Sequence, residues 1–154
     1  MIIIRAATVD DIGEIIALFE ETVKAVNKKD YSPEQIAVWT SAKDRKIWAD
    51  KVENQHFYLA ETEDQIVGFS SIDDTGYIDF MYVHKDFQGH GIAKALIDQI
   101  ELKARELQLT KIYSSVSITA QPFFTSRGFE VYDKEHKKLD GIAFTNALMQ
   151  KVIQ

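Results

Sequence analysis

The sequence predicts an α/β fold (α+β in arrangement) with a mixed, mostly antiparallel sheet and helices on both faces. Apolar residues recur at helical spacing near the N-terminus and again after residue 91, whereas residues 56–83 form three short strand-like runs separated by turns. The resulting element order is βααβββαβαββ, and the strand–helix–strand unit within it implies one parallel pair of strands.

The N-terminal third contains one strand and two helical regions. The strand covers residues 2–6, and the first helix runs from Thr8 to about residue 26. The second helical region starts at Ser32 and Pro33, a capping residue followed by proline at the first helical position. It extends to about residue 53 as one interrupted helix or two short ones.

The remaining elements follow from the same patterns, and a chain of 154 residues fits one domain, 1–154, around one core. We expect strands at 56–61, 66–71, 77–83, 111–117, 130–134 and 142–149, a long helix over about 92–107, and a short helix over about 120–126.

Composition excludes several classes of protein. The net charge of −6 argues against nucleic-acid binding, which needs a basic face, and it is compatible with a cationic substrate or simply with solubility. The absence of cysteine excludes disulfides and thiolate catalysis. We expect no metal site, no membrane span and, without a targeting segment, a cytoplasmic location. The oligomeric state stays open, a homodimer included.

The most informative segment is the glycine-containing loop that precedes the long helix. It reads Gln-Gly-His-Gly-Ile-Ala over residues 88–93. Glycines allow the backbone to approach a ligand, and the unpaired N–H groups at a helix start favour an anion. The segment matches neither a Walker loop nor the dinucleotide fingerprint, because the Gly-Lys-Ser/Thr ending and the glycine spacing are missing.

This segment resembles the Gln/Arg-x-x-Gly-x-Gly/Ala signature of the GNAT superfamily of acyl-CoA N-acyltransferases. A second family feature, Ala-x-x-Phe-Tyr-x-x-x-Gly-Phe, has its counterpart in residues 120–129, and the element order is similar over essentially the whole chain. The resemblance implies transfer of an acetyl group from acetyl-CoA to an amine. It also implies that two parallel strands, 77–83 and 111–117, splay apart at a bulge and hold pantetheine.

The resemblance assigns the acetyl-CoA contacts residue by residue. Backbone groups of two strand residues would bind pantetheine and the thioester oxygen, loop amides would bind pyrophosphate, and one ring would line the site. These residues are Met81, Val83, Gln88, Gly89, His90, Gly91, Ile92, Ala93, Lys94 and Phe124.

Two residues depart from the family pattern. Phe124 stands where the family usually has the tyrosine that protonates the leaving thiolate, and Ser117 stands at the usual asparagine on the preceding strand. Water, Ser117 or a nearby tyrosine such as Tyr113 could supply the proton instead. The substitution bears on the general acid and leaves the expected acetyl-CoA site unchanged.

The acceptor side is less determined by the sequence. We expect Asp79 to share a strand face with Tyr77 and Met81, where it is either a base for the amine or an ordinary strand carboxylate. Trp39, Trp48 and Tyr31 lie in the region that shapes the acceptor pocket in the family, although core packing explains the tryptophans equally well.

The leading hypothesis is direct attack of a small-molecule or peptide amine on acetyl-CoA in a ternary complex. No cysteine nucleophile exists, and nothing requires a covalent intermediate. The alternative is a sensor or regulatory module that binds acetyl-CoA without turnover, which the phenylalanine at position 124 favours. The identity of the acceptor and the preferred length of the acyl chain do not follow from the sequence.

Overall fold

The computed structural model describes residues 1–41 and 44–153. The strands are β1 (Ile3–Ala6), β2 (His56–Thr62), β3 (Gln65–Ile72), β4 (Ile78–Val83), β5 (Lys111–Val116), β6 (Glu130–Leu139) and β7 (Ile142–Val152). The α-helices are α1 (Ile12–Val26), α2 (Pro33–Trp39), α3 (Arg45–Asn54), α4 (Ile92–Glu106) and α5 (Gln121–Ser126). Short 3-10 turns occupy Val9–Asp11, Asn27–Lys29 and Lys85–Phe87.

The second helical region consists of two helices, α2 and α3, and this was one of the two arrangements that its sequence allowed. The observed order of strands and α-helices is therefore βαααβββαβαββ. The start of α2 follows from its capping sequence, since the Gln35 N–H donates to Ser32 Oγ at 3.1 Å and the Ser32 N–H donates to Gln35 Oε1 at 2.9 Å. Residues 42–43, at the junction of the two helices, lie outside the described part of the chain.

The strands form two antiparallel sheets that meet side by side. One sheet has the order β1-β2-β3-β4 and the other β5-β7-β6. An isolated parallel bridge between Tyr77 and Tyr113 joins the start of β4 to β5. The predicted mixed and mostly antiparallel arrangement is thus confirmed, with β4 and β5 as the parallel neighbours.

Helices cover both faces of the first sheet, as the alternation of its strand residues requires. Phe57 and Phe69 point into a core that includes α1 and α3 residues, whereas Ala60 and Val67 pack with Ile92 and Leu96 of α4 on the opposite face. Helix α5 packs with α4 and β5 in a further cluster. The gap between β4 and β5 therefore lies between helical layers, with α1 on one side and α4 and α5 on the other.

Candidate active site

Strands β4 and β5 stay together only at their N-terminal ends. The Tyr113 N–H donates to the Gly76 carbonyl at 3.0 Å, and next to this bridge the Ser114 hydroxyl donates to the Ile78 carbonyl at 2.7 Å. A side chain thus takes the place of a backbone partner, and further along the two strands belong to separate sheets. The polar backbone of both strands is therefore left facing a gap.

A β-bulge at Asp79 accompanies this separation. In the pairing with β3, Ser71 faces Phe80 and Ile72 faces Ile78, so Asp79 is the extra residue of β4. The bulge shifts the alternation, and the prediction that Asp79 shares a face with Met81 is wrong. Met81 packs against the α4 side of the sheet, whereas the Asp79 carboxylate is bonded to α3.

The backbone of Met81 and Val83 faces the gap. The His84 N–H donates to Val67 of β3 at 2.8 Å, and backbone groups along an antiparallel strand alternate between its two sides. Tyr82 consequently bonds to β3, while Met81 and Val83 point away from it. The carbonyl of Val83 already accepts a hydrogen bond from the Gln88 side chain at 2.7 Å, so Gln88 fastens the loop to the end of β4.

The glycine loop ends in a set of unpaired N–H groups. Gly89 and Gly91 have φ angles of +76° and +80°, which L-residues seldom adopt, and a Cβ atom at either position would meet no protein atom within 4 Å. The first intrahelical bond of α4 runs from Ala95 N–H to the Gly91 carbonyl, so the preceding helical N–H groups, those of Ile92, Ala93 and Lys94, have no intrahelical acceptor.

Two side chains of this loop region have partners within the loop or helix. The His90 Nδ1–H donates to the Gln88 carbonyl at 2.9 Å, and the Lys94 ammonium lies 2.7 Å from Asp98. Both side chains are exposed. The anion-binding capacity of the loop consequently rests on its backbone amides and on the positive end of α4.

A cavity of about 300 Å³ connects the glycine loop to the gap between β4 and β5. The backbone-exposing strand residues, the start of α4 and helix α5 form one end of it. The residues lining this end are Met81, Val83, Gln88, Ala93, Ser117, Ala120, Phe123 and Phe124. The structure thus brings Met81, Val83, Gln88, Ala93, Ser117 and Phe124 together, and it places Gly89, His90, Gly91, Ile92 and Lys94 in the adjoining loop and helix turn.

Aromatic rings form most of the wall at the opposite end of the cavity. They are Phe19, Trp39, Tyr77, Phe80, Tyr82 and Phe144. Trp39 contacts Tyr31 and Phe144 edge-on, at centroid distances of 5.0 and 6.1 Å. Thr22 also lines this end, and its buried hydroxyl has no hydrogen-bond partner among the described residues. Trp48, by contrast, is only 2% exposed and belongs to the core beneath α3.

Asp79 lies in this aromatic end within a hydrogen-bond network from α3. Its Oδ2 accepts from the Lys51 ammonium at 2.6 Å and from the Gln55 amide at 2.8 Å. Gln55 in turn accepts from the Ser71 hydroxyl at 2.7 Å. The other carboxylate oxygen of Asp79, Oδ1, accepts no hydrogen bond from the described part of the chain. The sequence analysis did not identify Lys51, which lies in α3, or Gln55, which directly follows α3 and donates its N–H to the Lys51 carbonyl.

A second polar group comes from the β5–β7–β6 sheet. The Ser115 hydroxyl donates to Glu135 at 2.7 Å and accepts from Asn146 at 3.0 Å. Burial raises the pKa of Tyr77 to about 12, and the negative charges of Asp79 and Glu135 add to the increase. Both carboxylates also have lysine partners, since Lys51 lies 2.6 Å from Asp79 and Lys137 lies 3.7 Å from Glu135.

The residues considered as proton donors lie at different places. Phe124 is 2% exposed and packs edge-on against Phe129 at 5.0 Å. Ser117 lines the cavity, and its hydroxyl accepts from the Ala120 N–H at 3.2 Å. Tyr113 is not among the residues lining the cavity, and its hydroxyl is bonded to Thr75 at 2.9 Å. Geometry therefore favours Ser117 over Tyr113.

Within residues 1–41 and 44–153, no group of three or more histidine, aspartate and glutamate side chains is placed to hold a metal ion. None of the described helices is both long enough and apolar enough to cross a membrane.

Splayed parallel strands next to a glycine loop and a helix start define an acyltransferase of the GNAT class. Residues 27–152 match the family model of the acetyltransferase (GNAT) domain. The chain belongs to this family, and it is an acetyltransferase. It is 31% identical over 140 residues to the uncharacterized N-acetyltransferase YafP of Escherichia coli (strain K12), with 91% of this chain and 89% of YafP covered.

Solved structures agree with this assignment. A GCN5-related N-acetyltransferase from Rhodopseudomonas palustris superposes with a TM-score of 0.94 at 28% identity, covering 98% of this chain and 95% of its own. The PaiA N-acetyltransferase from Thermoplasma acidophilum, solved in complex with coenzyme A, has the same fold with a TM-score of 0.85 at 19% identity, and 99% of each chain is covered.

Proposed function

We propose that this acetyltransferase moves an acetyl group from acetyl-CoA to a primary amine by direct attack in a ternary complex. The observation that carries the proposal is the cavity that runs from the glycine loop, through the gap between β4 and β5, to Asp79. A donor bound at the loop and an amine bound at the aromatic end would meet in this gap. We also propose that residues 1–154 act as one domain in the cytoplasm.

The loop end of the cavity suits acetyl-CoA. The unpaired N–H groups of Ile92, Ala93 and Lys94, together with the positive end of α4, suit pyrophosphate. The gap-facing backbone of Met81 and Val83 can pair with the amides of pantetheine as an added strand would. The binding of coenzyme A by the related PaiA N-acetyltransferase supports this part of the proposal.

The same backbone groups can assist the reaction. An N–H group of Met81 or Val83 can donate to the thioester oxygen as negative charge develops on it, and such preorganised donors are worth several kcal/mol in transition-state stabilisation. The chain contains no cysteine, so we propose that the amine attacks the thioester itself.

The aromatic end suits an amine attached to an apolar body. Rings such as those of Trp39 and Phe144 favour contact with apolar groups and with cations. The carboxylates of Asp79 and Glu135 are the groups at this end that can attract an ammonium group, although each also has a lysine partner. We propose that Asp79, through a water molecule at its Oδ1, then assists removal of the ammonium proton.

The test is release of CoA thiol from acetyl-CoA across a panel of amines. The panel should contain arylalkyl amines, a linear polyamine, free amino acids and a short peptide, and the acetylated product should be identified by mass. We expect turnover with at least one primary amine and preference for an apolar body. Absence of thiol release with every amine, despite measurable acetyl-CoA binding, would reject the enzyme proposal as stated.

Acetyl-CoA binding without thiol release would support the alternative, a sensor that binds acetyl-CoA without turnover. The observation that favours it is Phe124, which brings a ring without a hydroxyl to the wall of the cavity. Failure to bind acetyl-CoA at all would exclude both functions.

A further inference from the structure

The hairpin of β6 and β7 brings a lysine to the aromatic end of the cavity. Lys137 lies opposite Phe144 in the pairing of the two strands, and the side chains of opposed residues share one face of a sheet. Both residues line the cavity. Lys138 belongs to the other face, because successive side chains of a strand alternate. The Gln35 amide of α2 donates to the Ala143 carbonyl at 3.0 Å, which holds the hairpin beside the cavity.

Lys137 is the cationic counterpart of Asp79 in this cavity. Among the described residues that line the cavity, Asp79 and Lys137 are the two with charged side chains. Asp79 lies on β4 and Lys137 on β6, so the two charges belong to different sheets. The cavity therefore presents a carboxylate from one sheet and an ammonium from the other.

Both charged groups keep capacity for a ligand. Lys137 Nζ lies 3.7 Å from Glu135 Oε1, which is too far for a hydrogen bond, and that oxygen already accepts from the Ser115 hydroxyl at 2.7 Å. The Lys137 ammonium makes no hydrogen bond within the described part of the chain, although it has three protons to donate. Asp79 accepts from Lys51 and Gln55 through Oδ2 only, so its Oδ1 is left for an amine or a water molecule.

We propose that the acceptor carries a carboxylate as well as its amine, and that Lys137 binds this carboxylate. The inference rests on the proposed N-acetyltransferase activity and names the class of acceptor for the same site. The amine lies toward Asp79 and the gap between β4 and β5, the carboxylate lies toward Lys137, and the apolar body contacts the aromatic rings. An amino acid with an apolar body has these three parts, and its two charges complement those of the cavity.

The experiment measures kcat/KM for two matched pairs of acceptors in the wild type, Lys137→Met and Lys138→Met. The pairs are L-phenylalanine with its amide and ε-aminocaproate with its amide, since an amide replaces the carboxylate by a neutral group of similar size. Each acceptor is compared across the variants, so the different amine pKa values of acid and amide cancel.

Lys137→Met should lower kcat/KM for the acid of at least one pair roughly 10-fold, mainly through KM, and should leave its amide within about 2-fold. The loss is moderate because the Lys137 side chain is 43% exposed, and solvent screens such a pair. Lys138→Met is the matched control and should change neither acceptor, since it removes the same charge from the opposite face of the strand. Acetyl-CoA affinity should stay the same in both variants.

Charge reversal by Lys137→Glu extends the test. This variant should lower kcat/KM for the acid further and raise it for a linear diamine, because the second group of the acceptor now meets a negative charge. Equal losses for acid and amide in Lys137→Met, or no loss for either acid, would overturn the proposal. Wild-type protein that acetylates other amines but neither acid would overturn it too. Wild-type protein that releases no thiol with any amine would instead reject the underlying activity.

Discussion

The Lys51 ammonium lies 2.6 Å from Oδ2 of Asp79, and it also lies 5.5 Å from the centre of the Phe80 ring. The bulge in β4 produces this pairing, because it places Asp79 and Phe80 together on the α3 side of the sheet. Asp79 therefore enters the cavity as one member of an ion pair, with only Oδ1 left to meet an acceptor or a water molecule.

Asp79→Asn should lower kcat roughly 100-fold, since it keeps the shape of the side chain and removes the charge that would assist the amine. Acetyl-CoA affinity should barely change, because the proposed contacts with it are backbone ones. Steady-state kinetics and calorimetry on the same preparation measure both effects. Unchanged turnover on the true acceptor, with an unchanged pH–rate profile, would show that Asp79 does not assist the reaction and only bonds to α3.

Lys51→Met removes the ion pair and leaves the proposed base, Asp79, in place. The ammonium orients the Asp79 carboxylate through a hydrogen bond of 2.6 Å, so losing it should lower kcat and leave acetyl-CoA affinity unchanged. An unchanged kcat in this variant would show that turnover does not need the ion pair. The variant retains an apolar stem over Phe80, which limits the loss of packing.

Gly91→Glu should weaken acetyl-CoA binding at least ~10-fold, or about 1.4 kcal/mol, because it brings a negative charge to the proposed pyrophosphate site. Gly91→Ala is the matched control, since the open space around this position accommodates a methyl group and leaves only the cost of the positive φ. Calorimetric titration with acetyl-CoA measures both. Equal affinities for the wild type and the glutamate variant would show that pyrophosphate does not bind at this loop.

Phe124→Tyr in the otherwise wild-type chain should keep or raise turnover, because the added hydroxyl reaches a cavity that lacks the usual tyrosine. The measurement is kcat with acetyl-CoA, accompanied by thermal unfolding to verify the fold. A large loss of kcat in a well-folded variant would instead show that the tight packing of this ring against Phe129 shapes the cavity.

Asp11→Asn should destabilise the fold near neutral pH and have little effect in strong acid. Two hydrogen bonds from Arg5 hold the pKa of Asp11 at about 2, below its ordinary value of 3.8. These bonds contribute about 1–2 kcal/mol to the free energy of unfolding above the ordinary pKa of Asp11. The contribution is lost as pH falls from about 4 through 2. Urea unfolding at several pH values measures it, with the exposed neighbour in Asp10→Asn as control. If the free energies of unfolding of the wild type and Asp11→Asn differ by the same amount at every pH, the lowered pKa of Asp11 does not contribute to stability.

Local sequence signals were sufficient for most of the elements. The capping residues of α2, the alternation of the strands and the glycines before α4 act within a few residues of each other, so their outcome can be worked out from neighbours. The strands β6 and β7 extend beyond the expected 130–134 and 142–149, to Leu139 and Val152, because pairing of the two strands continues along exposed and weakly patterned sequence.

The sequence by itself determined the fold class, the place of the glycine loop and the family. The spacing of apolar residues predicts the helices and strands, and the motifs that identify the loop and the family lie within short stretches of the chain. Tertiary structure alone decided which side chains face the cavity. The bulge turned Asp79 toward Lys51, and long-range packing brought the Tyr31 hydroxyl to the Ile118 N–H across 87 positions of the chain. A bulge changes the facing of one strand residue, and a contact between distant segments depends on how whole layers pack, so neither leaves a periodic signal in the sequence.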